Sequence, residues 1–275
     1  MLQHAFRAMG TTIELAVEAD DADFAGAEAE FERLEQIMSR FRPESELSRL
    51  NRDGSLEASP ELTDVVTLAL EARERTNGRF DPTVHDALVA AGYDRTFDEL
   101  PEDGGAAPIP PLCGGGVAVD GRRITLEPGV RLDLGGIGKG FAAEHVAEAL
   151  AVSGPALVSA GGDVAVRGVP SAGAWAVAVD ETLTLGLERG GVATSGVDRR
   201  RWRRGGAWQH HIVDPSTGRP ARTDLVRVTA VGADAVDAEV LAKTLLLGGS
   251  AEALASPVQA VVVTEDGTTL RTGGL

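Results

Sequence analysis

Cysteine is nearly absent: the 275 residues contain one, Cys113. A single thiol cannot close an internal disulfide or furnish a multi-cysteine metal site. It stands in a stretch rich in Gly and Pro, where an incidental role is expected. Lysine is almost as scarce, since only Lys139 and Lys243 among 26 basic side chains are lysines. In a chain whose default cation is arginine, a lysine marks a place for a compact ammonium rather than a broad guanidinium. No apolar run reaches membrane-spanning length, and residues 1–10 show no apolar signal-type stretch, so a cytoplasmic protein is expected. Positive charge is in deficit, with a net charge of -16. A field of that sign repels nucleic acid and anionic membranes, and neither is an expected partner. A phosphate-bearing ligand would have to be held by local features. One local feature is the group Arg199, Arg200, Arg201, Arg203 and Arg204 around Trp202, which reads as a solvated hairpin with an aromatic anchor, the alternative being a positive rim beside a phosphate site.

What is present fits a globular chain able to bury a core: 43% apolar and 25% charged residues. Alternation over Thr12–Glu18 predicts a half-buried strand. Residues 21–39 read as a helix, 40–55 as a polar loop, and Ser59-Pro60-Glu61 as the start of a helix stopping at Asn77-Gly78. A short helix is expected over 83–91 and an exposed loop over 98–116. A hairpin should turn at Asp120-Gly121, and a strand over 130–134 should lead into a helix over 139–152. Strands dominate 156–232, a helix follows over 234–248, and a last hairpin turns at Asp266-Gly267. Strands and helices are mixed rather than strictly alternating, which indicates α+β.

The segment Asp133-Leu-Gly-Gly-Ile-Gly-Lys-Gly140 lies between an expected strand and an expected helix. Such a turn offers free backbone N–H groups and the positive end of a helix to an anion. It fails the P-loop pattern, having Asp133 where the first Gly belongs and Gly140 where Ser or Thr belongs. It also fails G-x-G-x-x-G, because counting from Gly136 ends on Phe141. Ser159-Ala-Gly-Gly-Asp163 is a second glycine turn, ending in a carboxylate. In Gly78-Arg-Phe-Asp-Pro-Thr-Val84, Asp81 could cap the next helix. In His211-Ile-Val-Asp-Pro-Ser-Thr-Gly218, His211 could be a base or a phosphate ligand. Singly, each reads as an ordinary turn.

Taken together and in order, these segments resemble the ApbE-type FAD:protein FMN transferases. The resemblance also takes in Arg7-Ala-Met-Gly-Thr11, Met38–Asn51, Phe141-Ala-Ala-Glu144, Ala193-Thr-Ser-Gly196 and the stretch Asp237–Gly249. It implies a single α+β domain over 1–275, with mixed or antiparallel sheets flanked by helices. It implies FAD as substrate, contacted by Met9, Phe41, Arg79, Phe80, Asp81 and Asp133, with Gly135, Gly138, Ser195 and His211 in the same site. Phe41 stands where the family usually has a Tyr stacked on the flavin, and Phe retains that π-face. Lys139, Lys243 and His211 are the expected catalytic residues, His211 orienting a phosphate or the acceptor. The implied reaction moves FMN from FAD to a Ser or Thr hydroxyl of a target protein and releases AMP. The implied metal is Mg²⁺, held by the backbone carbonyl at Gly136 and by side chains of the late helix.

At that helix the chain departs from the family. The usual Asp, and Thr four residues on, are Glu239 and Lys243. Glutamate can bind Mg²⁺ through oxygen, whereas a charged lysine has no lone pair to offer. Glu239 and Lys243 instead suit an i,i+4 pair, and Lys243 would bring its ammonium to where the metal is expected. The departure makes an FAD-binding protein without transferase activity, or a slow FAD hydrolase, the alternative reading.

Overall fold

The computed structural model describes residues 1–106, 108–179 and 183–275. The chain divides into two compact units. The first comprises Met1–Glu35, Ile137–Ser195 and Arg227–Leu275, and the second Gln36–Gly136 and Gly196–Val226. Among the described residues the α-helices are α1 (Phe24–Met38), α2 (Glu46–Asp53), α3 (Pro60–Arg75), α4 (His85–Ala91), α5 (Gly138–Leu150) and α6 (Ala235–Ala255).

The first unit is built on an eight-stranded sheet in the order Leu2–Ala8, Thr11–Val17, Ala156–Ala160, Asp163–Arg167, Gly190–Gly196, Leu225–Gly232, Ala260–Thr264, Thr269–Thr272. Alternation over 11–17 buries Ile13, Leu15 and Val17 on one face, as period-two patterning requires. The strand 2–8 was not foreseen. It pairs antiparallel with 11–17 through a two-residue turn at Met9 and Gly10, both at positive φ, the conformation that matches strand twist. The ladders of 156–160 with 11–17 and with 163–167 are also antiparallel. α5 packs on 156–160, on 163–167 and on α6. That approach is close: a Cβ on Gly140 would lie 2.8 Å from the carbonyl oxygen of Ala235. Glycine is therefore required there for packing, not for a special φ.

The second unit holds α2 to α4, a three-stranded antiparallel sheet (55–57, 123–126, 117–120) and the hairpin Arg201–Arg204/Ala207–His210. The polar loop expected over 40–55 contains α2. Ser45 caps it by accepting from the Ser48 N–H, Gly54 ends it in the left-handed region, and Leu47 and Leu50 form its buried stripe. Two buried leucines in eight residues are a weak periodic signal, and the capping chemistry fixes the helix. Among the described residues, 130–134 pair with no strand. Their backbone groups are satisfied otherwise: the Asn51 side chain donates to the Leu132 carbonyl at 2.8 Å and accepts the Leu132 N–H at 2.7 Å, and the Asp133 N–H donates to Pro82 O at 2.8 Å. The arginine-rich segment is a hairpin. Trp202 is buried and donates to Ala91 O at 2.8 Å, while Arg201 and Arg203 lie over the exposed Trp208 ring. The long loop before 117 includes Ala107, outside the described residues; elsewhere in it a 3₁₀ turn spans Phe97–Glu99. The architecture is α+β with largely antiparallel sheets.

Candidate functional site

The glycine loop passes from one unit to the other: Gly136 ends a stretch of the second and Ile137 opens a stretch of the first.

In the second unit, Asp133 is a buried carboxylate with two distinct partners. Its Oδ1 accepts the Gly135 N–H at 2.8 Å, which tightens the loop as an Asx turn. Its Oδ2 pairs with the Arg40 guanidinium, itself buried. That guanidinium also lies 4.1 Å from the Phe41 ring centroid and 4.7 Å from that of Tyr93. Phe41, Tyr93 and Trp202 pack in sequence, with centroids 5.5 and 5.2 Å apart. One face of Phe41 is thus covered by Arg40, a partner the sequence did not disclose. Asp81 is buried and caps the turn after it, with Oδ1 accepting from the Thr83 N–H at 2.8 Å and the Thr83 hydroxyl at 2.7 Å, while Arg73 approaches Oδ2 at 3.3 Å. Phe80 is buried and Arg79 is exposed. His211 is half-buried just past the strand ending at His210. Gly135 is exposed and Gly136 half-buried. Burial pushes the Cys113 thiol up to about 11, so it stays protonated, as suits an incidental cysteine.

In the first unit, Met9 sits at φ 50° and is held by its N–H donating to Glu35 Oε2 at 2.9 Å. Ser195 is buried, and its hydroxyl has no protein partner among the described residues. Gly138 and Lys139 are the first two residues of α5. Around Lys139 lies a compact charge cluster. Its ammonium pairs with Asp163 and donates to Glu239 Oε1 at 2.8 Å. Lys243 donates to the same Oε1 at 3.1 Å, and Glu239 Oε2 accepts the Gly140 N–H at 3.0 Å. Glu239 and Asp163 are both buried. Burial would raise the Glu239 pKa, but the Lys139 and Lys243 charges override it and hold the carboxylate below its ordinary range. Lys139 is the converse: burial opposes its charge, and Asp163 and Glu239 keep it protonated. Burial pushes Asp163 up against the pull of Lys139. Scarcity of lysine singled out Lys139 and Lys243. Nothing in the spacing showed that Asp163 would join them.

This cluster does not suit a divalent cation at Glu239. Both carboxylate oxygens already serve N–H donors, and Lys243 adds positive charge where a metal would need lone pairs. Among the described residues, no three His, Cys, Asp or Glu side chains form a group able to hold a metal ion.

The sequence profile of the ApbE family matches residues 9–261. The FAD:protein FMN transferase of Vibrio cholerae serotype O1 is 30% identical over 94% of this chain and 86% of its own length. That of Salmonella typhimurium is 28% identical over 90% and 78%. Among solved structures, the ApbE protein of Thermotoga maritima superposes with a TM-score of 0.85 at 25% identity, covering 99% of this chain and 97% of its own. The flavin transferase ApbE of Vibrio cholerae has the same fold, with a TM-score of 0.78 at 24% identity over 98% and 96%. The chain belongs to the ApbE family.

Proposed function

We propose that this protein transfers FMN from FAD to a hydroxyl of a Ser or Thr in an acceptor protein. The hydroxyl oxygen forms a bond to the phosphorus on the FMN side, and the bond from that phosphorus to the bridging oxygen breaks. AMP leaves with the bridging oxygen, and the hydroxyl proton departs on its phosphate or to solvent. The observation that carries this reading is the family match over 9–261, which includes the loop Asp133–Gly140 leading into α5. Relatives named for this reaction align along nearly the whole chain.

The residue roles belong to this proposal. Met9, Phe41, Arg79, Phe80 and Asp81 contact FAD. Asp133 shapes the loop so that Gly135 and Gly138 approach the pyrophosphate, as glycine permits. Ser195 offers a hydroxyl that has no partner among the described residues, and Lys139 and Lys243 face the phosphates. His211 orients a phosphate or the acceptor. The geometry at Glu239 gives Mg²⁺ no part in this account, and the Gly136 carbonyl is left without a metal to bind. A cytoplasmic location completes the proposal.

Separation of nucleotides after incubation with FAD tests it. AMP formed together with flavin covalently attached to protein supports transfer. FMN and AMP without labelled protein would indicate hydrolysis, and intact FAD on a saturated protein would indicate binding alone.

A further inference from the structure

The two lysines of this chain converge on one oxygen. Lys139 and Lys243 both donate to Glu239 Oε1, at 2.8 and 3.1 Å. An ammonium carries three donors. Lys139 uses two, toward Asp163 and Glu239, and Lys243 uses one. Among the described residues, donor capacity therefore remains on both groups. Neither side chain is sealed in, with 20% of Lys139 and 16% of Lys243 exposed. Glu239 is engaged at both oxygens, one with the ammonium pair and the other with the Gly140 N–H. The arrangement offers spare hydrogen-bond donors, one on Lys139 and two on Lys243, where a metal would need lone pairs. That is the polarity needed to receive phosphate oxygens, and it is opposite to that of a metal site.

We propose that Lys139 and Lys243 form an ammonium subsite for the FAD pyrophosphate, with Lys243 taking the place of a divalent cation, so that this chain binds and uses FAD without metal. The inference rests on the FAD reading above. Lysine suits the role better than arginine because its charge is compact and its donors can turn toward several oxygens. Lys139 holds its position through two carboxylates, and Lys243 is fixed from the next turn of the same helix as Glu239.

The test uses the full chain stripped of metal with EDTA. FAD binding is followed by flavin fluorescence in EDTA and in Mg²⁺, for the unchanged protein and for Lys243→Thr. Manganese is then titrated into the FAD-loaded proteins and read by paramagnetic resonance. The proposal expects the unchanged protein to bind FAD equally in both buffers and to take up no stoichiometric Mn²⁺. It expects Lys243→Thr to bind FAD at least about tenfold more weakly in EDTA, a loss of about 1.4 kcal/mol, and to recover with Mg²⁺. If Lys243→Thr fails to fold, Lys243→Gln replaces it in the same EDTA comparison. Stoichiometric Mn²⁺ on the unchanged protein, or FAD binding that needs Mg²⁺, overturns the proposal and leaves the FAD reading standing. Absence of FAD binding in either buffer overturns both.

Discussion

Lys139 on α5 donates to Glu239 on α6 at 2.8 Å, and the same carboxylate accepts the Gly140 N–H at 3.0 Å. This bond joins the glycine loop's helix to the helix that carries Glu239 and Lys243. It makes Glu239 a structural acceptor between α5 and α6.

Replacing Glu239 by Gln should therefore destabilise the protein. Lys243 would lose its carboxylate partner and Lys139 one of its two, at a cost of about 3 kcal/mol. Gly140→Ala should cost about 1–3 kcal/mol, because the added Cβ would lie 2.8 Å from the Ala235 carbonyl oxygen. Urea unfolding followed by circular dichroism measures both. A Glu239→Gln midpoint equal to that of the unchanged protein would contradict the assignment.

Arg40 supports the other half of the loop. Its guanidinium pairs with Asp133 and lies over the rings of Phe41 and Tyr93. Lysine at this position keeps the charge but loses the planar fork and the stacking. Arg40→Lys should lower stability by about 1–2 kcal/mol and weaken FAD binding, because Asp133 orients Gly135. Thermal melts with and without FAD would show a smaller ligand-induced rise in the variant.

Glu144 gives a pH dependence with a defined sign. Burial pushes its pKa from 4.5 up to about 7, against the Ala235 N–H and Arg167, which both favour the charged form. Between those values the folded chain holds a proton that the unfolded chain has released. Stability from this group is complete below pH 4.5, falls as pH rises toward about 7, and is level above that. Glu144→Gln removes the titration and can still accept from Ala235. Across that window the unchanged protein should lose melting temperature relative to the variant, and parallel curves would refute the assignment.

The sequence made the repeating parts of the fold legible and left obscure what depends on distant partners. Alternation located the strand 11–17, and the Ser59-Pro60 cap located α3, since both signals are local. The strand 2–8 alternates in burial, but its inward face, Leu2, His4, Phe6 and Ala8, is only half-buried and includes a histidine, which weakens the apolar signal. The region 130–134 looked like a strand by hydrophobicity, yet the Asn51 side chain takes the place of a neighbouring strand. In the site, the order of the motifs and the rarity of lysine were readable. The pairing of Arg40 with Asp133 and of Asp163 with Lys139 was not, because residues far apart in sequence meet only in the folded chain.

The central claim is FMN transfer. Its most direct measurement incubates the protein with FAD and proteins extracted from the source organism, then reads flavin fluorescence in a denaturing gel and AMP by chromatography. The account predicts a fluorescent acceptor band, with AMP rising in step with it. A folded, FAD-saturated protein that yields neither band nor AMP would contradict it.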